Sequence, residues 1–391
     1  MSADPASLGP LDIRPEDFDW ARFGRMAEGR PWQGRTVVVT GGTGFIGARL
    51  ARKLALYGAS VTIPTRDRSR ASAQIDPNIR LAGWTPAEPG SVKAVLAGAD
   101  TLFHLAYDIR RSGEANVALY RSIADAAARA GVRRFVHASS IAVYDGWPTD
   151  NLSEDSPSDG AGHSYKLAKR AMERDLESRV RKGEFDAAIL QPVNVYGPFS
   201  GQWTDSFVER ILAHGLILPE GFDGLCNGVY VDDLVDAFVA AGDLAHGGAQ
   251  RFIVAGPAPI PWAEMFAAYA DACGQPVERE DWQPTPGLPE RDPGLAHPLK
   301  RGLEDLVMRA SALLASRIGT SRVNALRTRL AAFRRGDGPY RPVQENPRFY
   351  LSRSVVHADR AARELCSPVV AAAEGLAWTK AYIAWRFGAR K

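Results

Sequence analysis

The chain has 391 residues, of which 45% are hydrophobic and 24% charged, with a formal net charge of +3. That length suits roughly two lobes of an ordinary soluble globular protein, and so small a charge gives no reason to expect a nucleic-acid partner. Cys226, Cys273 and Cys366 lie far apart, Met1–Pro10 lacks a signal-peptide pattern and no apolar run is long enough to span a bilayer, so a disulfide framework, a zinc site and a membrane span are not expected and a reducing cytoplasmic setting is the simplest one.

Residues 1–33 are polar, with Trp20 and Phe23 available to pack onto a core, and read as an N-terminal extension. Val37–Val39 is a short apolar run that ends at a glycine turn, as a buried parallel strand does. Ile46, Leu50 and Leu54 repeat at helical spacing up to Gly58, and Val61–Ile63 predicts the next strand. Further strands are expected at Leu102–Ala106, Phe135–Ala138, Ala188–Leu190 and Phe252–Val254, with an alanine-rich helix over Asn116–Ala130. This alternation predicts an α/β fold, a doubly wound Rossmann parallel sheet. After Gly256 prolines cluster up to Pro298, then apolar residues recur at helical spacing from Lys300 to Arg335, and a last helix is expected from Ser367 to Phe387. The predicted organisation is a core over residues 34–197, with 229–256 returning to it. A smaller, mainly helical C-terminal substrate lobe takes 198–228 and 257–391, including a basic helical insertion at 300–335.

Gly41, Gly44 and Gly47 follow a strand and open a helix through Phe45 and Ile46. The first glycine permits a tight turn, the second lets backbone approach a pyrophosphate and the third lets helix and strand pack closely, while the helix N-terminus offers N–H donors to phosphate. An acidic residue at the end of the second strand would bond a free ribose 2′-hydroxyl. Thr65 stands there instead, with Arg66 and Arg68 beside it. Arginine suits a 2′-phosphate, so the cofactor is NAD(P) with NADP favoured; the other possibility is that Arg66 is a solvated loop charge and Asp67 serves the ribose.

Tyr165 and Lys169 are spaced i,i+4, on one face of a helix. Reduction of a carbonyl needs a proton donor on oxygen as hydride reaches carbon. A tyrosine, with an ordinary pKa near 10, is suited to this when a nearby ammonium favours its phenolate. Ser140 closes a strand and is placed to hydrogen-bond the reacting oxygen. These three are the candidate catalytic residues.

Together these segments resemble the extended short-chain dehydrogenase/reductase family, in its branch of NAD-dependent epimerases and dehydratases. The resemblance rests on Thr40–Gly47, His104–Ala106, Asn116–Val117, Ser139–Tyr144, the Tyr165/Lys169 pair, Gln191–Pro198 and Val231–Asp233, over residues 36–256, with Phe349–Trp385 similar to the family's closing segment. It implies that Tyr165 is the acid/base and that Lys169 lowers its pKa and binds the nicotinamide ribose. Ser140 would orient the substrate oxygen, Leu105, Ala106, Pro192 and Val193 would lie against the cofactor, and the chain would pair as a homodimer through a four-helix bundle.

Departures from the pattern narrow what it implies. Ile141–Ala142 follow Ser140 where sugar dehydratases carry Asp-Glu, which disfavours dehydration. Gln191 and Asn227–Gly228 stand where nucleotide-sugar enzymes carry arginines, whereas Asn194 matches the asparagine that sugar epimerases use toward the nucleotide. Trp84 replaces an adenine-contacting aspartate and is expected to pack in the core. His104 is expected to be structural.

The expected function is NAD(P)-dependent redox chemistry at a secondary alcohol or ketone of a sugar-like or nucleotide-sugar substrate, as an epimerase or an oxidoreductase. The alternatives are an NADPH-dependent ketone reductase on a non-nucleotide substrate and a non-enzymatic NADP-binding redox sensor. The arginines of 300–335 are expected to be a solvated face of a helical subdomain; a lid over an anionic substrate, or peripheral contact with anionic lipid, is the other reading.

Overall fold

A computed structural model describes residues 8–11, 31–66, 78–85, 89–245, 247–283 and 338–388. The expected basic helices at 300–335, Trp20 and Phe23 of the extension, and Asp67 and Arg68 lie outside the described residues.

Seven parallel strands form the central sheet: β1 (Thr36–Thr40), β2 (Ser60–Thr65), β3 (Ile79–Gly83), β4 (Thr101–His104), β5 (Arg134–Ala138), β6 (Asp186–Pro192) and the late strand β11 (Ala249–Val254). Their order is β11-β6-β5-β4-β1-β2-β3. Val37, Val38 and Val39 are at most 1% exposed, because helices cover both faces of a parallel sheet. One face carries α1 (Phe45–Leu56) and α6 (Val231–Gly242); the other carries α2 (Pro89–Leu96), α3 (Gly113–Ala130) and α4 (Ser164–Arg181). Leu50 and Leu54 enter the first layer, and Val92, Ile123, Met172 and Leu176 the second. Each such side chain contributes about 1.5–3 kcal/mol on burial. The α3 helix starts where Ser112 Oγ accepts from Ala115 N–H at 3.2 Å and stops at Gly131, whose φ of 72° is left-handed.

Between β6 and β11 lie β7 (Asn194–Tyr196), α5 (Ser206–His214), β8 (Leu216–Pro219), β9 (Leu225–Cys226) and β10 (Gly228–Tyr230). After β11 come β12 (Ile260–Pro261), α7 (Trp262–Ala272), β13 (Val277–Glu280), α8 (Pro342–Glu345), α9 (Pro347–Tyr350), α10 (Asp359–Glu364) and α11 (Ala372–Phe387). Short strands pair as β7 with β10, β8 with β13 and β9 with β12. An aromatic cluster fills this region: fully buried Trp262 lies 5.8 Å from Phe266 and 5.5 Å from Phe349, and Trp203 stacks on Phe349 at 5.6 Å.

The last helix begins at Ala372 rather than Ser367. Pro368 interrupts the run, and the N–H groups of Val369 and Val370 both donate to the Asp233 carboxylate at 3.1 Å instead of to a helix. The neighbouring Asp232 takes a bidentate pair from Arg49 of α1 at 2.7 and 2.9 Å, buried on both sides. The two aspartates of the Val231–Asp233 segment therefore tie α6 to α1 and to the C-terminal chain.

Candidate active site

Strand order reverses between β4 and β1, so the crevice outside their carboxyl ends is where an open α/β sheet binds ligands. The β1 end turns at Gly41, whose φ of +73° suits glycine. A Cβ on Gly47 would meet the Gly41 carbonyl oxygen at 2.3 Å, so the third glycine is what lets α1 lie this close to the turn. Gly44 occupies the N-cap of α1 without a side-chain cap, and the first turn carries no acidic residue. The helix N-terminus is thus left to an anion, and the turn fits a dinucleotide pyrophosphate. Phe45 and Ile46 are partly buried at that start. The β4 end crosses directly over the turn: Leu105 N–H donates to the Thr40 carbonyl at 3.1 Å, and a Cβ on Gly41 would meet Leu105 carbonyl carbon at 2.9 Å and Ala106 nitrogen at 3.0 Å.

Arg66 is exposed, just past β2, while Thr65 is buried. The Asp108 carboxyl, in the loop after β4, is raised by burial. Hydrogen bonds from Arg110 and the charges of Arg110 and Arg66 more than offset this and hold it below its ordinary value. Trp84 packs against the second core layer.

Ser140 ends the strand β5 segment as the cap of a single 3-10 turn, Ile141–Val143, with its Oγ accepting from Ala142 N–H at 3.2 Å. Tyr165 lies in the first turn of α4; burial raises its phenol above the ordinary value, and the Ser140 hydroxyl pulls it back down. Lys169 is 3% exposed, and its ammonium donates to the Ala138 carbonyl at 2.6 Å. Burial lowers its pKa to about 8, with the charge of Glu173 opposing. Burial dominates the Tyr165 phenol, and the Lys169 ammonium that the sequence pairs with it lies 5.8 Å from its ring.

Two features of the site were not anticipated. Tyr107, at the end of the Leu105–Ala106 crossing, packs edge-on against Tyr165 with ring centroids 5.0 Å apart, and Lys169 Nζ lies 4.8 Å from the Tyr107 ring centre. Beneath Lys169, His104 and His137 stack with a 3.1 Å Nδ1–Nδ1 hydrogen bond, and burial holds both well below the ordinary histidine value, so both are neutral. Nothing local in the sequence marks Tyr107; the two histidines are matched neighbours in β4 and β5 and the strand alignment could have paired them.

Pro192 ends β6 and Val193, 5% exposed, follows it. Asn194 is also 5% exposed and its amide donates to Cys226 Sγ at 3.5 Å. Gln191 is fully buried: its Oε1 accepts from the Tyr144 hydroxyl at 2.7 Å and its Nε2 donates to Glu173 at 2.9 Å. Asn227 bonds the Ser354 carbonyl and Val356 N–H. Several arginines of the small lobe are engaged too: Arg341 with Glu280 at 3.1 Å, Arg353 with Asp223, and Arg210 with Glu345 and, at 3.7 Å, the Tyr340 ring.

Residues 37–256 match the sequence profile of the NAD-dependent epimerase/dehydratase family. The chain belongs to this family. It is accordingly an enzyme of the NAD-dependent epimerase/dehydrogenase type. Within the family it is 34% identical over 278 residues to a UDP-glucose 4-epimerase of Mycolicibacterium smegmatis, covering 64% of this chain and 86% of that one. It is 32% identical over 262 residues to a 3-diazoavenalumate denitrifying reductase of a Streptomyces species, covering 62% and 83%. Among solved structures, an epimerase from Methanothermobacter thermautotrophicus superposes with a TM-score of 0.66 at 17% identity, over 92% of this chain and 95% of that one. A dTDP-glucose 4,6-dehydratase from Streptomyces venezuelae with NAD bound gives 0.63 at 20%, over 90% and 98%. At these identities the structural likeness is one of fold. Among the described residues, no helix is long and apolar enough to cross a membrane.

Proposed function

We propose that this family member transfers hydride between a nicotinamide dinucleotide and a secondary alcohol or ketone, with Tyr165 exchanging the proton on the reacting oxygen. The observation that carries the reading is the Lys169 ammonium 5.8 Å from the Tyr165 ring, with Tyr165 packed on Tyr107 at the end of the crossing over the glycine turn, where the strand order reverses. Gly41, Gly44, Phe45, Ile46 and Gly47 would hold the pyrophosphate end. Leu105, Ala106, Pro192 and Val193 would flank the rest of the cofactor. The cofactor supplies or accepts the hydride; the chain's own residues handle the proton. Tyr165, raised by burial, is a phenol at neutral pH and donates to a ketone oxygen that Ser140 orients. In the opposite direction it must first lose that proton, which the buried Lys169 ammonium favours.

Between epimerase and reductase, we favour a reductase that uses NADP on a substrate without a nucleotide. Arg66 is exposed at the ribose end, where a 2′-phosphate would sit. Asn194 and Gln191 have buried partners inside the protein, which leaves less for a nucleotide-sugar to engage. An epimerase of a sugar-like substrate is the second reading, supported by the relative from Mycolicibacterium.

Tyr165→Phe should lower kcat about 10²–10⁴-fold with nucleotide affinity nearly unchanged. The assay follows NADPH and NADH oxidation over a panel of ketones, and 4-epimerisation of UDP-glucose in parallel. Turnover that survives Tyr165→Phe removes the mechanism. We further propose that two copies pair through the exposed faces of α3 and α4, where Leu167 is 41% exposed; light scattering after gel filtration reads a dimer if so and a monomer if not.

A further inference from the structure

Tyr165, Lys169 and Glu173 follow one another at i, i+4 and i+8 on one side of α4. Glu173 is an ionisable side chain only 5% exposed. Its Oε1 accepts from the Ser139 hydroxyl and, at 2.9 Å, from Gln191 Nε2, and Gln191 in turn is held by the Tyr144 hydroxyl at 2.7 Å. Ser139 directly precedes Ser140, and Gln191 directly precedes Pro192 and Val193. One side chain therefore fastens three separate segments that carry the site: the end of β5, the end of β6 and the catalytic face of α4. A charged acceptor makes stronger bonds than a neutral one, and a buried network that is satisfied throughout fixes geometry.

Glu173 also has an electrostatic position. Lys169 is buried above two neutral histidines, and Glu173 is the carboxylate that acts on it. The other groups facing this pair are Tyr165 and Glu177 from α4, Tyr107 from the loop after β4, and Arg251 from β11.

We propose that Glu173 is a positioning residue: it locks Ser140, Tyr165 and Lys169 into one constellation and supplies the buried negative charge that faces the Lys169 ammonium. Its purpose rests on the hydride-transfer reading above; its geometry does not. The role requires an ionised carboxylate, although burial pushes Glu173 upward.

The test is the titration of Lys169, followed as the ¹³Cε resonance of labelled lysine and assigned with Lys169→Met. Glu173→Gln keeps an oxygen for Ser139 and Gln191 but loses the charge. Its Lys169 midpoint should fall by about one pH unit, and Glu173→Asp, which keeps the charge, should return it toward the original value. An unchanged midpoint in Glu173→Gln overturns the proposal. Should Glu173→Gln fail to fold, the carboxyl carbon of Glu173 in the unmodified protein, assigned through the backbone, decides instead. An ionised group at pH 7 is required, and a protonated one overturns the proposal. Because neither resonance depends on turnover, a shifted Lys169 midpoint together with an active Tyr165→Phe would sink the hydride-transfer reading while leaving the positioning role standing.

Discussion

The carboxyl edge of the sheet and the smaller lobe are built on different principles. At the sheet edge, polar groups do the positioning: Glu173 holds Ser139 and Gln191, Asn116 holds the Asp108 loop from both sides, and Thr40 carries the Leu105 crossing. In the smaller lobe, aromatic packing does it, with Trp262 against Phe266, Phe349 and Tyr350 and strand pairs of only two to four residues. Groups that must hold a proton at a fixed point need directional bonds, whereas a surface that only has to present shape can be set by volume. The two regions should therefore respond to damage in different ways.

The largest effects should come from the anchors of each region. Trp262→Ala should cost about 3–5 kcal/mol by cavity formation, read as urea unfolding, while the affinity for NADPH stays within a few-fold because the cavity is in the other region. Equal loss of nucleotide binding would erase the distinction. Arg49→Met strands the buried Asp232 carboxylate and should also cost about 3–5 kcal/mol, this time from the sheet side. Asp232→Leu added to Arg49→Met should recover part of it, and a double variant no better than the single one would show that packing, not charge, holds α1 to α6.

A smaller effect concerns the buried histidines. Their folded pKa values lie below the unfolded one, about 3 for His104 and well below the ordinary value for His137. The unfolded chain thus binds protons first as pH drops below about 6.5, and stability falls there by up to ~1.4 kcal/mol per pH unit for each histidine. Urea midpoints measured from pH 7.5 to 5.0 should decline, and His104→Gln should flatten the decline. An identical slope would mean that the pair is not kept neutral. The smallest expected effect is at the exposed rim: Arg66→Ala should weaken NADPH binding roughly tenfold and leave NADH unchanged, and equal weakening of both would remove Arg66 as the 2′-phosphate contact.

What the sequence made legible follows the same division. The glycine turn, the strand–helix alternation and the Tyr165/Lys169 pair are local patterns, each complete within about one element and set by the periods of 2 and 3.6. Glu173 was within reach of the same reasoning, as the next step of the Tyr165–Lys169 stripe. Its partners were not, because Ser139 and Gln191 join it only when β5 and β6 lie side by side. Tyr107 meets Tyr165 across two strands' worth of topology. The start of α11 was misplaced because apolar spacing continues through 367–371, where Asp233, far away in the chain, takes the backbone donors. The small lobe's two-residue strands have no periodicity to read.

The crevice at the β1/β4 reversal is expected to hold a nicotinamide dinucleotide against Tyr165. Purified protein should be denatured and the released nucleotide identified, and the emptied protein titrated with NADPH and NADH. The expected result is an empty protein that binds NADPH in preference to NADH; tightly held NAD would leave the dinucleotide site in place but make the enzyme one that recycles its cofactor, as an epimerase does. A protein that neither carries nor binds either dinucleotide would contradict it.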